Sequence, residues 1–468
     1  MTAVLTGLYQ MIVSDGWMKL IQFKILRMDQ WAGMKEAWNL HDRLDEYYYA
    51  AAVKFDLWIP KIGGVDFRTL GLRFTLDAAM IGLGGLMGIR VASSVLIGAL
   101  INFAVLAPIM IHLGDIAPRI GLDGKIVALT RAEIVNQWSL WWGVSMMVVG
   151  SLVGLLAKPE IFTSAFKNLT KKRPVDDTQD VLKDIELPLW VSYVGVPVMS
   201  LIGAIVTHEF FGVSWLLSCI SLPLIFVLTV IAVNSMALTS WVPSGGLSKI
   251  TQFSIGAIDH VNPANNLIPA GMTAEVAMNA SNLLSDIKPG YMLGAKPRQQ
   301  AIGHVIGIFS GALACIPLYY LLFLQPDANG IRSTATILSD QFAFPAAVQW
   351  KGVADLIAKG LHSLHTSAII SMLVASIAAI AIEVARIVTK GRFPLSAVSI
   401  GLGVVLPPEA SLMMWLGALM FWWMGRRHAT PGSKGHDFWV EGCEPISAGL
   451  ISGAALVGIG NAIINVLI

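Results

Sequence analysis

The chain has 468 residues, of which 55% are hydrophobic and 13% are charged, and its net charge is +2. Soluble domains carry about 25% charged residues. The composition therefore excludes an ordinary soluble protein and predicts an all-α polytopic membrane protein. The three cysteines have no metal-ligand spacing, and the small net charge gives no indication of nucleic-acid binding.

Residues 1–69 are predicted to form an interfacial or extramembrane segment. The apolar run at the amino terminus is interrupted by Asp15, Lys19 and Lys24, which favours an interfacial or frayed helix. The residues after it are charged and rich in Trp and Tyr, as is typical of a segment at the lipid headgroup boundary.

Apolar segments long enough to cross a bilayer, which takes about 20 residues, follow this region. Two of them are short and meet at Pro407-Pro408, where the missing backbone donors break a helix. The predicted segments are 70–89, 91–113, 133–157, 187–208, 212–237, 299–325, 367–388, 394–408, 409–425 and 445–468.

The orientation of these segments follows from Lys and Arg in the short loops. The loop 158–186 is strongly basic and is predicted to be cytoplasmic. Counting forward, the stretch 238–287 must begin and end on the cytoplasmic side. A single span cannot do this, so we predict a re-entrant pair of half-helices, whose non-helical backbone must line a cavity or be covered by protein.

Polar residues within that stretch recur at helical spacing. Steps of four, three and four residues place Glu275, Asn279, Asn282 and Asp286 on one helix face. A polar stripe at membrane depth must contact protein, water or solute. Two interpretations stay open: the stripe lines a translocation path, or it lies in water at the cytoplasmic rim.

An internal repeat is indicated by two matches in the same register. A shift of 319 residues relates Ile81-Gly82-Leu83-Gly84 to Ile400-Gly401-Leu402-Gly403, and Gly98-Ala99-Leu100 to Gly417-Ala418-Leu419. The loop charges give the two copies opposite directions, as in the inverted repeats of many secondary transporters. We expect 70–157 to be the end of the first repeat and 187–468 to be the second, with the counterpart of the re-entrant pair outside this chain.

The motifs in the polar stretch resemble the oligopeptide transporter (OPT) family, which includes the yellow stripe-like metal-chelate carriers. The resemblance is carried by Asn265-Asn266-Leu267-Ile268-Pro269-Ala270-Gly271 and by Asp286-Ile287-Lys288-Pro289-Gly290-Tyr291-Met292-Leu293-Gly294-Ala295-Lys296-Pro297-Arg298. The stretch ending in Pro407-Pro408 and the segment Gly84 to Arg90 are similar to other parts of the family. The resemblance covers roughly residues 70–468, the later two-thirds of the family pattern, so a truncated or split member is expected.

The resemblance implies proton-coupled symport of small peptides or peptide-like metal chelates. Together with the repeat and the apolar segments, it predicts an inverted-repeat secondary transporter in the cell membrane. No cofactor is expected, since the proton gradient supplies the energy, and no metal-ligating residue is assigned. The expected partners are the substrate, protons and lipid, and also a second copy of the chain or an amino-terminal segment outside it.

Six residues are candidates for binding substrate or protons: Glu275, Asn279, Asn282, Asn265, Asn266 and Glu409. Desolvation enables a carboxylate such as Glu275 to exchange a proton near neutral pH, although it could instead bond half-helix amides. The amides could bind peptide groups, neighbouring helices or, at the helix start, a carboxylate. Glu409 follows Pro408, where ordinary complementation of the helix dipole is the competing explanation.

Other functional classes are less well supported by the sequence. An intramembrane enzyme would need a catalytic constellation, and none is evident, so the protein is not expected to be an enzyme. A channel-like pore stays an alternative, although no filter-like run is present. A non-transporting truncated remnant is a further alternative to a transporter.

Overall fold

The computed structural model describes residues 1–118, 129–157, 159–160, 185, 187–239, 242, 244–324, 344–360, 362 and 364–467. The described chain forms two compact units. Unit 1 contains Met1–Met147, Tyr319–Pro345 and Thr366–Ile468, and unit 2 contains Val148–Leu318 and Ala346–His365. The basic residues of the predicted cytoplasmic loop, from Lys158 to Lys183, lie outside the described residues.

Helices dominate both units. In chain order the first are α1 (Thr2–Val13), α2 (Asp15–Lys19), α3 (Met28–Trp31), α4 (Leu44–Phe55), α5 (Ala78–Met87), α6 (Ile89–Leu100), α7 (Ala107–Leu113), α8 (Arg131–Ile134) and α9 (Leu140–Leu156). They are followed by α10 (Leu189–Phe211), α11 (Trp215–Thr239), α12 (Ser244–Ile258), α13 (Pro263–Met292), α14 (Pro297–Phe323), α15 (Pro345–Lys359), α16 (Thr366–Val388), α17 (Ala397–Val405), α18 (Pro408–Arg427), α19 (Lys434–His436) and α20 (Cys443–Leu467). Short π-helical segments at Leu20–Ile25, Ile101–Leu106, Val135–Ser139 and Asp437–Glu441 adjoin them. A small antiparallel hairpin pairs β1 (Lys61–Ile62) with β2 (Val65–Asp66).

Seven helices of the described chain are long and apolar enough to cross a membrane. Each coincides with a segment predicted from hydropathy, and the predicted break at Pro407-Pro408 separates α17 from α18. The chain is therefore an all-α polytopic membrane protein. The inverted orientation of its repeats and the re-entrant topology stay predictions.

The first predicted span, 70–89, differs in its start. Asp77 caps α5 by accepting hydrogen bonds from Ala79 N at 2.8 Å and Met80 N at 3.1 Å. Because the capping residue has extended backbone, the helix begins at Ala78 and the residues before it lie outside the helix.

The amino-terminal helices pack against the last helix. A Cβ added to Gly453 would lie 2.3 Å from Ala3 O, and Trp17 donates its ring N–H to Val457 O at 3.0 Å. Thr2–Val13 and Asp15–Lys19 are therefore helical and packed rather than frayed, and the interfacial alternative stays a prediction. The charges that suggested fraying, Asp15 and Lys19, form an ion pair 2.6 Å long.

The β-hairpin ends in a local ion pair outside the membrane-spanning helices. Arg68 donates its guanidinium and its backbone N–H to the Asp66 carboxylate, with the shortest contact 2.6 Å. These hydrogen bonds from Arg68 hold the pKa of Asp66 below its usual value.

Because the pKa of Asp66 is lower in the folded than in the unfolded state, the ionised carboxylate stabilises the hairpin at pH values above its unfolded-state pKa. This stabilisation is lost as the pH falls through the folded-state pKa. We expect amide hydrogen exchange of residues 61–68 to accelerate as the pH is lowered below about 4, after correction for intrinsic rates. Asp66→Asn should exchange faster at neutral pH and lose this acid response, and Asp56→Asn is the matched control. The loss should be about 1 kcal/mol or less, because the pair is partly exposed. An acid response unchanged in Asp66→Asn would contradict the assignment.

Four glycines bring two pairs of helices into backbone contact within unit 1. A Cβ added to Gly84 would lie 1.9 Å from Met414 O, and one added to Gly403 would lie 2.0 Å from Val95 O. At Gly98 the distance to Ile400 O would be 2.0 Å, and at Gly417 the distance to Ile81 O would be 2.1 Å. We call this arrangement of α5 and α6 against α17 and α18 the glycine crossing.

The contacts of the glycine crossing are reciprocal. The 319-residue shift that relates the two sequence copies turns the contact of Gly84 with Met414 into the contact of Gly403 with Val95. It likewise exchanges the contacts of Gly98 and Gly417. Two copies related by a local two-fold axis make contacts that are exchanged in this way. The reciprocal contacts therefore support the internal repeat.

Candidate functional site: a buried polar cluster around helix α12

The stretch predicted to form a half-helix pair contains two helices of unequal length. Helix α12 has 15 residues, about 22 Å, whereas α13 has 30 residues, about 45 Å, and is longer than a half-helix. Asn262 caps α13 by accepting from Ala264 N at 3.0 Å. Trp241 and Pro243, at the start of the predicted pair, lie outside the described residues.

The stripe predicted on α13 lies on one exposed face of that helix. Glu275, Asn279 and Asn282 are exposed, and Asn279 donates to Glu275 O at 2.9 Å and to its Oε2 at 3.4 Å. Asp286, at the end of the stripe, lies 3.8 Å from the His304 ring. The shared face agrees with the helical spacing, while the roles of these residues stay predictions.

The opposite face of α13 is buried in unit 2 and is lined by small side chains. Ala270, Thr273 and Ala277 are fully buried, and the Thr273 hydroxyl lies 2.8 Å from that of Thr251 on α12. Short side chains allow helices to approach closely, so α13 packs against both α11 and α12. In the apolar part of this packing, Ala277 lies in a buried cluster with Leu155, Leu228, Ile231, Ala232 and Leu247.

Helix α12 is enclosed on several sides, and its polar residues are buried as a consequence. Glycines at both ends admit neighbours: Gly246 contacts Leu155 of α9, and Gly256 contacts Ile357 of α15. The side chains enclosed in this way are Ser248, Lys249, Thr251 and Gln252, all with no solvent-accessible surface.

Lys249 is the centre of a polar cluster. Its Nζ donates to Gln252 Oε1 at 2.9 Å and lies 5.4 Å from the centre of the Trp350 ring. Gln252 Nε2 in turn donates to Trp350 O at 3.0 Å and to Asn266 Oδ1 at 3.4 Å. Lys249, Gln252, Asn266 and Trp350 are called the Lys249 cluster below.

The Lys249 cluster has an excess of donors over acceptors. Among the described residues, Lys249 has no carboxylate within ion-pair distance, and the buried Asn266 Nδ2 has no hydrogen-bond acceptor. A buried amide donor needs a partner, and so does a buried amine once it is protonated, because removing them from water is costly. The arrangement can therefore accept an anionic or carbonyl group.

The remaining predicted site residues lie elsewhere. Asn265 accepts from Ser214 N at 3.3 Å and donates to the carboxylate of Asp259, so it ties the turn before α13 to the start of α11. Glu409 is half-buried in the first turn of α18 and belongs to unit 1, whereas the other five candidates belong to unit 2. The repeat counterpart of Glu409, Arg90, donates to Gly391 O at 3.2 Å.

Sequence reasoning missed Lys249, although the sequence contains a usable signal. It is the sole Asp, Glu, Lys or Arg between Glu209 and Asp259. A charge isolated in an apolar region is more often a functional feature than a surface residue.

Among the residues that the structure describes, one group of side chains has ligand atoms close enough to suit a metal ion. His436, Asp437 and Glu441 place one such atom each within 4.8 Å of one another, and the two carboxylates are exposed. Exposed acidic groups often adopt this spacing without a metal, so the group by itself does not indicate a metal site.

Comparison with known proteins extends the likeness over nearly the whole chain. The sequence model of the family described as OPT oligopeptide transporter protein matches residues 6–465, which includes the amino-terminal region that the motifs left out. A protein of Oryza sativa subsp. japonica, YSL10, named as a probable metal-nicotianamine transporter, is 24% identical over 84% of this chain and 59% of its own length. A protein of Haemophilus influenzae named as a candidate oligopeptide transporter is 24% identical over 86% of this chain and 67% of its own length. The chain thus spans about six-tenths of the length of such relatives.

Proposed function

The chain belongs to the OPT oligopeptide transporter protein family, and on this premise we propose that it is a secondary active transporter of small oligopeptides or peptide-like metal chelates. The proposed energy source is symport with protons across the plasma membrane. The family and the named relatives are transporters rather than enzymes, in agreement with the expectation from the sequence.

The Lys249 cluster is the observation that supports this proposal most strongly. Polar and charged side chains in membrane proteins are costly and usually mark a pathway for solute or ions. In unit 2 they occupy a helix too short to cross a bilayer, packed against longer helices. Peptides and chelates carry amide, carboxylate and amine groups, for which such side chains are suitable partners.

Uptake into proteoliposomes tests the proposed function. The purified chain is reconstituted and supplied with labelled di-, tri- and tetra-alanine and with a nickel–nicotianamine chelate, with and without an inward proton gradient. We expect saturable uptake that the gradient accelerates. Uptake that neither saturates nor responds to the gradient would favour a channel-like pore, and no uptake by folded protein would contradict transport by this chain.

Glu275→Gln tests the proposed proton exchange at the exposed face of α13. The amide keeps the shape and the hydrogen bond from Asn279 but cannot take up a proton. We expect the gradient-dependent part of uptake to fall by about tenfold or more, the factor equivalent to 1.4 kcal/mol. Uptake without a gradient should change less.

The matched control is Asp286→Asn, an isosteric change of an exposed carboxylate on the same face near the end of α13. It is expected to leave the gradient dependence close to that of the unmodified chain. Equal behaviour of the two variants would remove the special role of Glu275.

A further inference from the structure

We infer that Lys249 couples the binding of a substrate carboxylate to the uptake of one proton. This inference rests on the proposed function, because it names the part of a peptide or chelate that the buried cluster recognises and the group that carries the proton with it. Lys249 is absent from the predicted stripe on α13 and lies on a different helix.

The first step of the argument is the burial of Lys249 without a counter-charge. Its side chain has no accessible surface, and its nearest polar partner is the neutral oxygen of Gln252. Placing an isolated ammonium in such surroundings is strongly unfavourable, whereas a neutral amine is tolerated. Burial of this kind therefore favours the neutral amine over the ammonium.

The second step is that no charged side chain on the helices around Lys249 takes the place of a ligand by pairing with it. Helix α12 has no other titratable residue, α9 has none, and α11 has only Cys219, which is exposed. The titratable residues of α13, which are Glu275, Asp286, Lys288 and Tyr291, are all exposed. On α15, Lys351 and Lys359 pair with Asp355. Among the described residues none of these groups forms an ion pair with Lys249.

The third step is the second unsatisfied donor. Asn266 Nδ2 is buried without an acceptor, and its own oxygen is engaged by the same Gln252 that accepts from Lys249. Gln252 therefore holds the Lys249 and Asn266 side chains in one network. A carboxylate has two acceptor oxygens and one negative charge, and it meets the needs of both donors at once.

The coupling follows from charge neutrality. When the cluster opens to one side of the membrane, a proton from water binds the Lys249 amine and the carboxylate binds the resulting ammonium. The ion pair is neutral overall, so it can be enclosed at less cost than either charge alone. On the other side the carboxylate leaves, the proton returns to water, and the amine is neutral again. One proton crosses with each carboxylate bound at this group.

The test measures binding to the detergent-purified full chain with two probes, trialanine and trialanine amide. They share their amino terminus and differ in the carboxylate. We expect trialanine to raise the melting temperature more at pH 6 than at pH 8 and to bind about 30-fold or more tightly than the amide. Pyranine in weakly buffered solution should report uptake of about one proton per trialanine bound, and less than this for the amide.

Lys249→Met is the decisive variant. It keeps the length of the side chain and removes the titratable amine, so without ligand it should melt at or above the temperature of the unmodified chain. It should no longer distinguish trialanine from its amide, and the extra proton uptake should vanish. Lys249→Arg, which stays charged, should keep binding trialanine but lose the proton uptake. Lys351→Met, at an exposed lysine of α15, should behave like the unmodified chain.

Several results would overturn the inference: equal binding of acid and amide, no binding of trialanine by folded protein, or discrimination retained in Lys249→Met. The proteoliposome experiment distinguishes failure of this inference from failure of the proposed transport function. If Lys249→Met keeps the gradient-driven trialanine uptake of the unmodified chain undiminished, transport stands and the role of Lys249 falls. If the unmodified chain binds trialanine with a proton and yet transports nothing, the binding role stands and transport by this chain falls.

Discussion

Gly403→Leu is expected to prevent unit 1 from folding. An added Cβ would already lie 2.0 Å from Val95 O and 2.9 Å from Ala99 N. These are backbone atoms of α6, so no side-chain rotation relieves the overlap, and the helix cannot shift without separating Gly98 from Ile400. Overpacking of a core typically costs about 1–3 kcal/mol and occasionally more. We expect at least the upper end of that range. Size-exclusion chromatography in mild detergent should show loss of the monodisperse peak, and any residual folded protein should melt at a clearly lower temperature.

Gly311→Leu is the matched control for this prediction. Gly311 lies in α14, where nothing approaches within 4 Å of an added Cβ among the described residues. Leu is a better helix former than Gly by about 0.5–1 kcal/mol, so this variant should be expressed and melt much as the unmodified chain does. Normal folding of Gly403→Leu would show that the helices of the glycine crossing are farther apart than the structure places them.

The second large effect is expected for Glu383→Ala in α16. The Glu383 side chain is buried, and its carboxylate accepts from the Arg386 guanidinium at 3.0 and 3.1 Å and from Ala397 N at 3.2 Å. Ala397 is the first residue of α17, so this carboxylate both neutralises an arginine and satisfies a helix-opening amide. Removing it leaves Ala397 N without its acceptor, whereas the Arg386 guanidinium is partly exposed and can still be hydrated. We expect a loss of about 1–3 kcal/mol, measured as a lower midpoint of thermal or chemical unfolding.

Asp355→Ala tests whether burial is the cause of this loss. Asp355 also accepts from a lysine one helical turn away, Lys351, but that lysine is largely exposed. Exposed pairs of this kind contribute about 0–1 kcal/mol, so the control should change little. Glu383→Gln should fall between the two, because its amide oxygen can still accept from Ala397 N. Equal effects of Glu383→Ala and Asp355→Ala would contradict the stated role of Glu383.

The helical segments were predictable because hydrophobicity is a local property of the sequence. The break at Pro407-Pro408 was predictable as well, since proline removes backbone donors whatever its surroundings. The docking of Thr2–Val13 was not, because it depends on Gly449 and Gly453 at the other end of the chain. A motif of two glycines predicts that some helix approaches closely, but it does not say which helix.

The candidate site was predictable only in part. Helical spacing correctly placed Glu275, Asn279 and Asn282 on one face of α13. It could not identify the face that packs inward, because that face consists largely of Ala, Thr and Ser, which have little effect on hydropathy. Lys249 could be noticed as an isolated charge, but its burial against Trp350 of α15 depends on tertiary packing, which no pattern along α12 predicts.

The glycine crossing also constrains the order of events during synthesis. Ser94 on α6 accepts a hydrogen bond from Ser396 N, a residue 302 positions later in the chain. At a synthesis rate of about 5–20 residues per second, α5 and α6 wait roughly 15–60 seconds before their partners leave the ribosome. During that interval the small-residue faces of α5 and α6 are open to lipid or to other newly made helices. A chain stalled in this window is therefore the form most exposed to mispairing and to membrane quality control.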